Sequence, residues 1–147
     1  MKKAAEYRII SADGGGIRGL ITAGIMSRIS DSLGDGWIRS TDLFAGTSTG
    51  ALITLALACG KTPAEIVQCY ERNAKPIFHR RFSTYAGLMG LLWRRYPNDG
   101  LKRAVAELFP ESLRLGDVPR KVLVASFQMD AGTGKGRSWK PKIFHNF

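Results

Sequence analysis

The chain has 147 residues, 44% apolar and 23% charged, which is enough to bury one packed core and too apolar for a disordered tail. Lysine and arginine outnumber aspartate and glutamate 22 to 12, a net charge of +10 that attracts polyanions without choosing between nucleic acid and an anionic lipid surface. The two cysteines, Cys59 and Cys69, form no disulfide framework and predict a reduced, cytoplasmic protein.

Met1-Lys2-Lys3 could open a secretory leader, but Glu6 and Arg8 interrupt the apolar stretch that would follow. The longest apolar run, residues 51–59, has the length of a buried helix, not of a membrane span. Residues 7–12 predict a first strand and residues 13–16 its glycine turn. From Ile17, the residues Leu20, Ile21, Ile25, Ile29 and Leu33 recur at helical spacing and trace one face, stopped by Gly34 and Gly36. Residues 42–45 predict a second strand, which Gly46 to Gly50 turn into an apolar helix ending at Gly60.

Thr62-Pro63-Ala64-Glu65 combines a capping residue, a proline at the first helical position and a glutamate placed to bond back, so residues 63–73 predict a helix. Asn98 or Asp99 caps another over residues 100–109, with Pro110 just beyond. Residues 120–129 hold Val122-Leu123-Val124-Ala125 and Phe127, a near-continuous apolar run that suits a strand covered on both faces. Lys142-Ile143-Phe144 begins a further strand. This alternation predicts an α/β domain with helices layered on both faces of a mostly parallel sheet.

Two glycine turns carry the chemistry: Asp13-Gly14-Gly15-Gly16-Ile17-Arg18-Gly19 and Gly46-Thr47-Ser48-Thr49-Gly50. In the second, Ser48 sits where a strand must reverse sharply into a helix, a geometry that lifts a nucleophilic hydroxyl clear of the sheet. A bare G-x-S-x-G recurs by chance; here Leu43-Phe44-Ala45 before it and Ala51-Leu52-Ile53 after it supply the required strand and helix. The first turn offers backbone N–H groups near a helix N-terminus, where an oxyanion is stabilised. Gly14, Gly16 and Gly19 also satisfy the spacing of a dinucleotide loop. That reading wants an acidic residue ending the second strand, where this chain has Gly46 and the serine.

D-G-G-G-x-R-G after a first strand, with G-T-S-T-G after a second, closely resembles the patatin-like phospholipases. The likeness runs from about Tyr7 through the Phe127 strand. It implies a three-layer α/β/α fold and a lipid acyl hydrolase that works by a Ser–Asp dyad without metal or organic cofactor. Ser48 then matches the nucleophile, and Gly14, Gly15 and Gly16 the oxyanion loop. Asp13, Arg18, Gly19, Gly46 and Gly50 support the two motifs, Arg18 orienting the loop or meeting a phosphate.

The family's base is an aspartate in a further Asp-Gly-Gly or Asp-Gly-Ala motif well beyond the serine, and in these 147 residues the only such tripeptide is Asp13-Gly14-Gly15 of the first glycine turn, where Asp13 fixes the turn. The expectation is therefore the N-terminal, nucleophile-bearing part of one domain, residues 1–147, close to inactive by itself. Asp130-Ala131-Gly132 imitates the motif but follows the third strand too closely. His79 and His145 belong to no recognisable motif and read as surface residues. Residues 75–97 mix aromatic and aliphatic side chains with paired arginines, a composition suited either to an anionic membrane surface or to packing on the sheet. The expected partner is a phospholipid or other lipid ester, and nucleic acid is not expected. The rival functions are a basic module gripping nucleotides or nucleic acid through the glycine loop, and a non-catalytic lipid-binding family member.

Overall fold

The computed structural model describes residues 6–78, 98–128 and 140–147. Their elements run β1 (Ile9–Ala12), a short 3-10 turn (Gly16–Arg18), α1 (Gly19–Leu33), α2 (Gly36–Arg39), β2 (Leu43–Thr47), α3 (Ser48–Ala58), α4 (Pro63–Phe78), α5 (Asn98–Leu108), β3 (Lys121–Gln128) and β4 (Lys140–His145). The strands form one sheet in the order β1-β2-β3-β4. The first three are parallel, with Ala12 beside Gly46 and Gly46 beside Val124, and β4 closes the far side antiparallel to β3. The fold is α/β on a mostly parallel sheet, as the alternation of elements predicts.

Parallel pairing places the C-terminal ends of β1 and β2 side by side, so the two glycine motifs meet at one end of the sheet. α3 runs back from that end beneath the strands and is buried nearly all round, at Gly50, Ala51, Ile53, Thr54, Ala56, Leu57 and Ala58. A helix apolar on every side is one enclosed by protein. Its Ile53 and Ala56 join Phe44 of β2, Val122 of β3 and Ile66 and Tyr70 of α4 in a single core. Thr54, polar within that core, donates its hydroxyl to the Gly50 carbonyl of its own helix at 3.0 Å.

The capping box forms as expected: the Thr62 N–H donates to Glu65 Oε2 at 2.7 Å, and the Glu65 N–H to Thr62 Oγ1 at 3.2 Å. That backbone donor holds the Glu65 carboxyl below its usual range. α4 then continues past Asn73 and through Pro76 to Phe78. It is tied to α5 by Arg72 pairing with Glu107, by buried Asn73 donating to Glu107 Oε2 at 2.8 Å, and by Cys69 against the Ala104 carbonyl.

α1 departs from its sequence pattern. It buries Gly19 and Ala23, while Ile21 is 63% exposed, Ile25 56% and Leu33 75%. The small residues allow α1 to approach α4 closely, and that partner, not the aliphatic periodicity, decides which face turns inward. Asn146 fastens the chain just after β4: its side-chain amide donates to the Val118 and Arg120 carbonyls and accepts from the Val122 N–H. No helix among the described residues is long and apolar enough to cross a membrane. The arginine-rich part of the stretch at residues 79–97, His79 and Asp130 lie outside the described residues.

Candidate active site

β2 ends at Thr47 and α3 begins at Ser48, with no loop between them. Ser48 absorbs the reversal with φ of 50°, alone among the described non-glycine residues in being positive. Such a conformation costs on the order of 1–3 kcal/mol, and a surrounding structure must enforce it. Gly46 and Gly50 provide that enforcement through close approach. A Cβ on Gly46 would stand 2.7 Å from the Ala51 nitrogen, and one on Gly50 would stand 2.6 Å from the Asp13 carbonyl oxygen. β2 can therefore bend straight into a helix whose first turn lies against the end of β1.

The side chain of Ser48 is exposed, and no described group hydrogen-bonds its hydroxyl. The glycine loop lies directly beside it: a Cβ built on Gly14 would meet Ser48 Cβ at 2.9 Å and the Thr47 carbonyl oxygen at 3.1 Å. The structure thus brings Ser48 against Gly14, with Gly15 bonded to the neighbouring Thr49. Gly16, at φ of 57°, starts the 3-10 turn that leads into α1. Arg18 closes this turn, its N–H donating to the Gly15 carbonyl at 3.1 Å and its Nε reaching the same oxygen at 3.5 Å. The Asp13 side chain is exposed and makes no hydrogen bond with a described residue.

Two residues that carried no role in the sequence reading hold the loop in place. The Gly14 N–H donates to Thr47 Oγ1 at 2.9 Å, and the Gly15 N–H donates to Thr49 Oγ1 at 3.1 Å. Thr47 stands at the N-cap of α3 but does not cap it; its hydroxyl serves the glycine loop. No described group accepts the Gly16 N–H. Tyr70 of α4 braces the same corner from below. It is 7% exposed, its hydroxyl reaches the Thr49 carbonyl at 3.5 Å, and its ring would collide with any side chain at Gly19. Burial pushes the Tyr70 hydroxyl pKa up, which keeps it a neutral donor. The flanking hydroxyls of G-T-S-T-G were visible in the sequence; their partners, more than thirty residues away, were not.

His145 lies elsewhere, exposed on β4 opposite Leu123, with its ring centroid 4.9 Å from that of Phe147. Among the described residues no three metal-ligating side chains converge. A cavity of about 590 Å³ opens between Leu55, Val105, Phe109, Leu113, Leu115 and Val118, and neither Ser48 nor a residue of the glycine loop lines it.

The family model for patatin-like phospholipase matches residues 10–142. CotR of Bacillus subtilis is 34% identical over 97% of this chain and 42% of its own length. A cGAMP-activated phospholipase of Pseudomonas aeruginosa is 32% identical over 91% of this chain and 39% of its own. An intracellular phospholipase A2 of Caenorhabditis elegans is 47% identical over 68 residues, 46% of this chain and 6% of that protein. The chain thus spans about two fifths of the length of the first two of these relatives.

Proposed function

The chain belongs to the patatin-like phospholipase family, and on that premise we propose that Ser48 is the nucleophile of a lipid acyl hydrolase. The observation that carries the reading is the strained Ser48 backbone, held at a strand end against the Gly14–Gly15 loop with its hydroxyl exposed. Ser48 Oγ attacks the carbonyl carbon of an acyl ester, and amides of the Gly14–Gly16 loop, with the N-terminal dipole of α3 behind them, receive the negative charge on oxygen. The ester C–O bond breaks, the alcohol leaves with a proton, and water then attacks the acyl-enzyme to release a fatty acid and regenerate the serine. Several relatives are named as phospholipases, which supports phospholipid or a related lipid ester as substrate.

The base of such a reaction is the family's aspartate. After Ser48 these 147 residues hold no Asp-Gly-Gly or Asp-Gly-Ala motif, so the chain by itself turns over slowly, with only what the loop and the helix contribute. Prolonged incubation with a fluorophosphonate, followed by intact-mass analysis and peptide mapping, tests the nucleophile. One adduct on Ser48, lost in Ser48→Ala, is expected, alongside hydrolysis of a short-chain nitrophenyl ester close to background. A folded protein that gives no adduct, or gives one on another serine, would exclude Ser48. That outcome would favour the reading as a lipid-binding member without catalysis.

A further inference from the structure

Each loop amide has one proton to give, and two of the three are already given. Gly14 N–H is held by Thr47 and Gly15 N–H by Thr49, which leaves Gly16 N–H as the unengaged one among described residues. An oxyanion is held by converging donors at hydrogen-bond distance, so the loop adds a second donor to Gly16 only by releasing one of these amides.

We propose that the Thr49 hydroxyl is a displaceable stand-in for the oxyanion at the Gly15 amide. It satisfies that donor while the site is empty and yields it to the charged oxygen of the transition state. This inference rests on Ser48 being the nucleophile.

The two threonines differ in how firmly they are placed. Thr47 lies in β2, paired with Ala125, and its partner Gly14 is wedged against Ser48 Cβ and the Thr47 carbonyl. Neither side of that bond can move without unpacking the elbow. Thr49 projects from the first turn of α3, beside the nucleophile, and its partner Gly15 has room where Gly14 has none: a Cβ there meets nothing nearer than Arg18 Cβ at 3.4 Å, an ordinary contact.

The energetics favour exchange in the right direction. A part-buried N–H left without an acceptor costs about as much as a lost hydrogen bond, so Thr49 satisfies the Gly15 amide while the site is empty. A neutral substrate carbonyl gains nothing by displacing a neutral hydroxyl. A full negative charge does gain, because hydrogen bonds to ionised acceptors are roughly twice as strong. Thr49 therefore keeps the Gly15 amide from a neutral carbonyl and yields it to the charged oxygen, and the hydrogen bond it gives up in doing so is a cost on the transition state.

The test compares the second-order rate of Ser48 phosphonylation in the wild-type chain, Thr49→Val, Thr49→Ser and Thr47→Val, with circular dichroism confirming that each is folded. Valine keeps the shape and removes the competing acceptor, so Thr49→Val is expected to react about threefold to tenfold faster, the size of one neutral hydrogen bond. Thr49→Ser restores the wild-type rate. Thr47→Val, which unties the loop, reacts more slowly. In the wild-type adduct the Gly15 amide proton resonance shifts while that of Gly14 stays. A Thr49→Val rate that falls alongside Thr47→Val, or a Gly15 resonance unmoved in the adduct, overturns the proposal and leaves the nucleophile standing. No adduct on Ser48 in any version removes both.

Discussion

At the scale of single residues, the site depends on what is missing as much as on what is present. Gly50 has no side chain because the backbone of β1 occupies the place: a Cβ would lie 2.6 Å from both the Ala12 carbonyl carbon and the Asp13 carbonyl oxygen. Backbone in a paired strand cannot swing aside, so Gly50→Ala must push α3 away from β1 and with it Ser48 away from the glycine loop. The expected cost is about 3 kcal/mol or more, at the upper end of overpacking penalties. Gly24 makes the opposite case. It sits inside α1 with nothing within 4 Å of its absent Cβ, so Gly24→Ala should gain about 0.5–1 kcal/mol from helix propensity alone. Urea unfolding of the two variants beside wild type checks both signs at once. Equal and small effects would mean that the close approach of α3 to β1 is not rigid.

At the scale of elements, the contact between α4 and α5 is electrostatic at its rim. The Arg72 guanidinium, and secondarily the Asn73 amide, hold the Glu107 carboxyl below its ordinary range. A carboxyl lowered by folding contributes its full stability above its unfolded pKa and loses it as pH falls through the folded one. Arg72 is 59% exposed, so water screens the pair and the contribution is small. Glu107→Gln should therefore be less stable than wild type near pH 7, with the gap narrowing as pH falls below the ordinary carboxylate range; a gap that does not narrow in acid would assign the loss to packing. The Thr62–Glu65 box was readable from sequence because its partners are three residues apart. The elbow and the glycine loop were readable because glycine and serine at fixed offsets allow few backbones. Thr47, Thr49 and Tyr70 were not, since their work is defined by residues 21 to 51 positions away, brought close only when β1 pairs with β2 and α4 packs beneath. For the same reason periodicity found the length of α1 but not its inward face.

At the scale of the whole molecule, apolar surface is distributed unevenly. β4 protects its outer edge with Lys140, Pro141 and Lys142, residues that discourage further pairing, whereas β1 reads Ile9-Ile10-Ser11-Ala12 and has no such guard. After β1, Ile17 of the 3-10 turn and Ile21, Ile25, Ile29 and Leu33 of α1 are all at least 37% exposed, and Arg28 and Asp31 supply the only charges along α1. A run of this kind exceeds the scattered aliphatics of an ordinary surface and makes the molecule adhesive. Since Ile21 and Ile25 contribute little to the core of the described structure, the double variant Ile21→Lys, Ile25→Lys should keep the wild-type urea midpoint to within about 0.5 kcal/mol. It should also lower the fluorescence of a bound apolar dye and reduce self-association in sedimentation velocity. A loss of well over 1 kcal/mol would show instead that the stripe is packed in the isolated chain, and that the helix periodicity read from the sequence had marked its buried face after all.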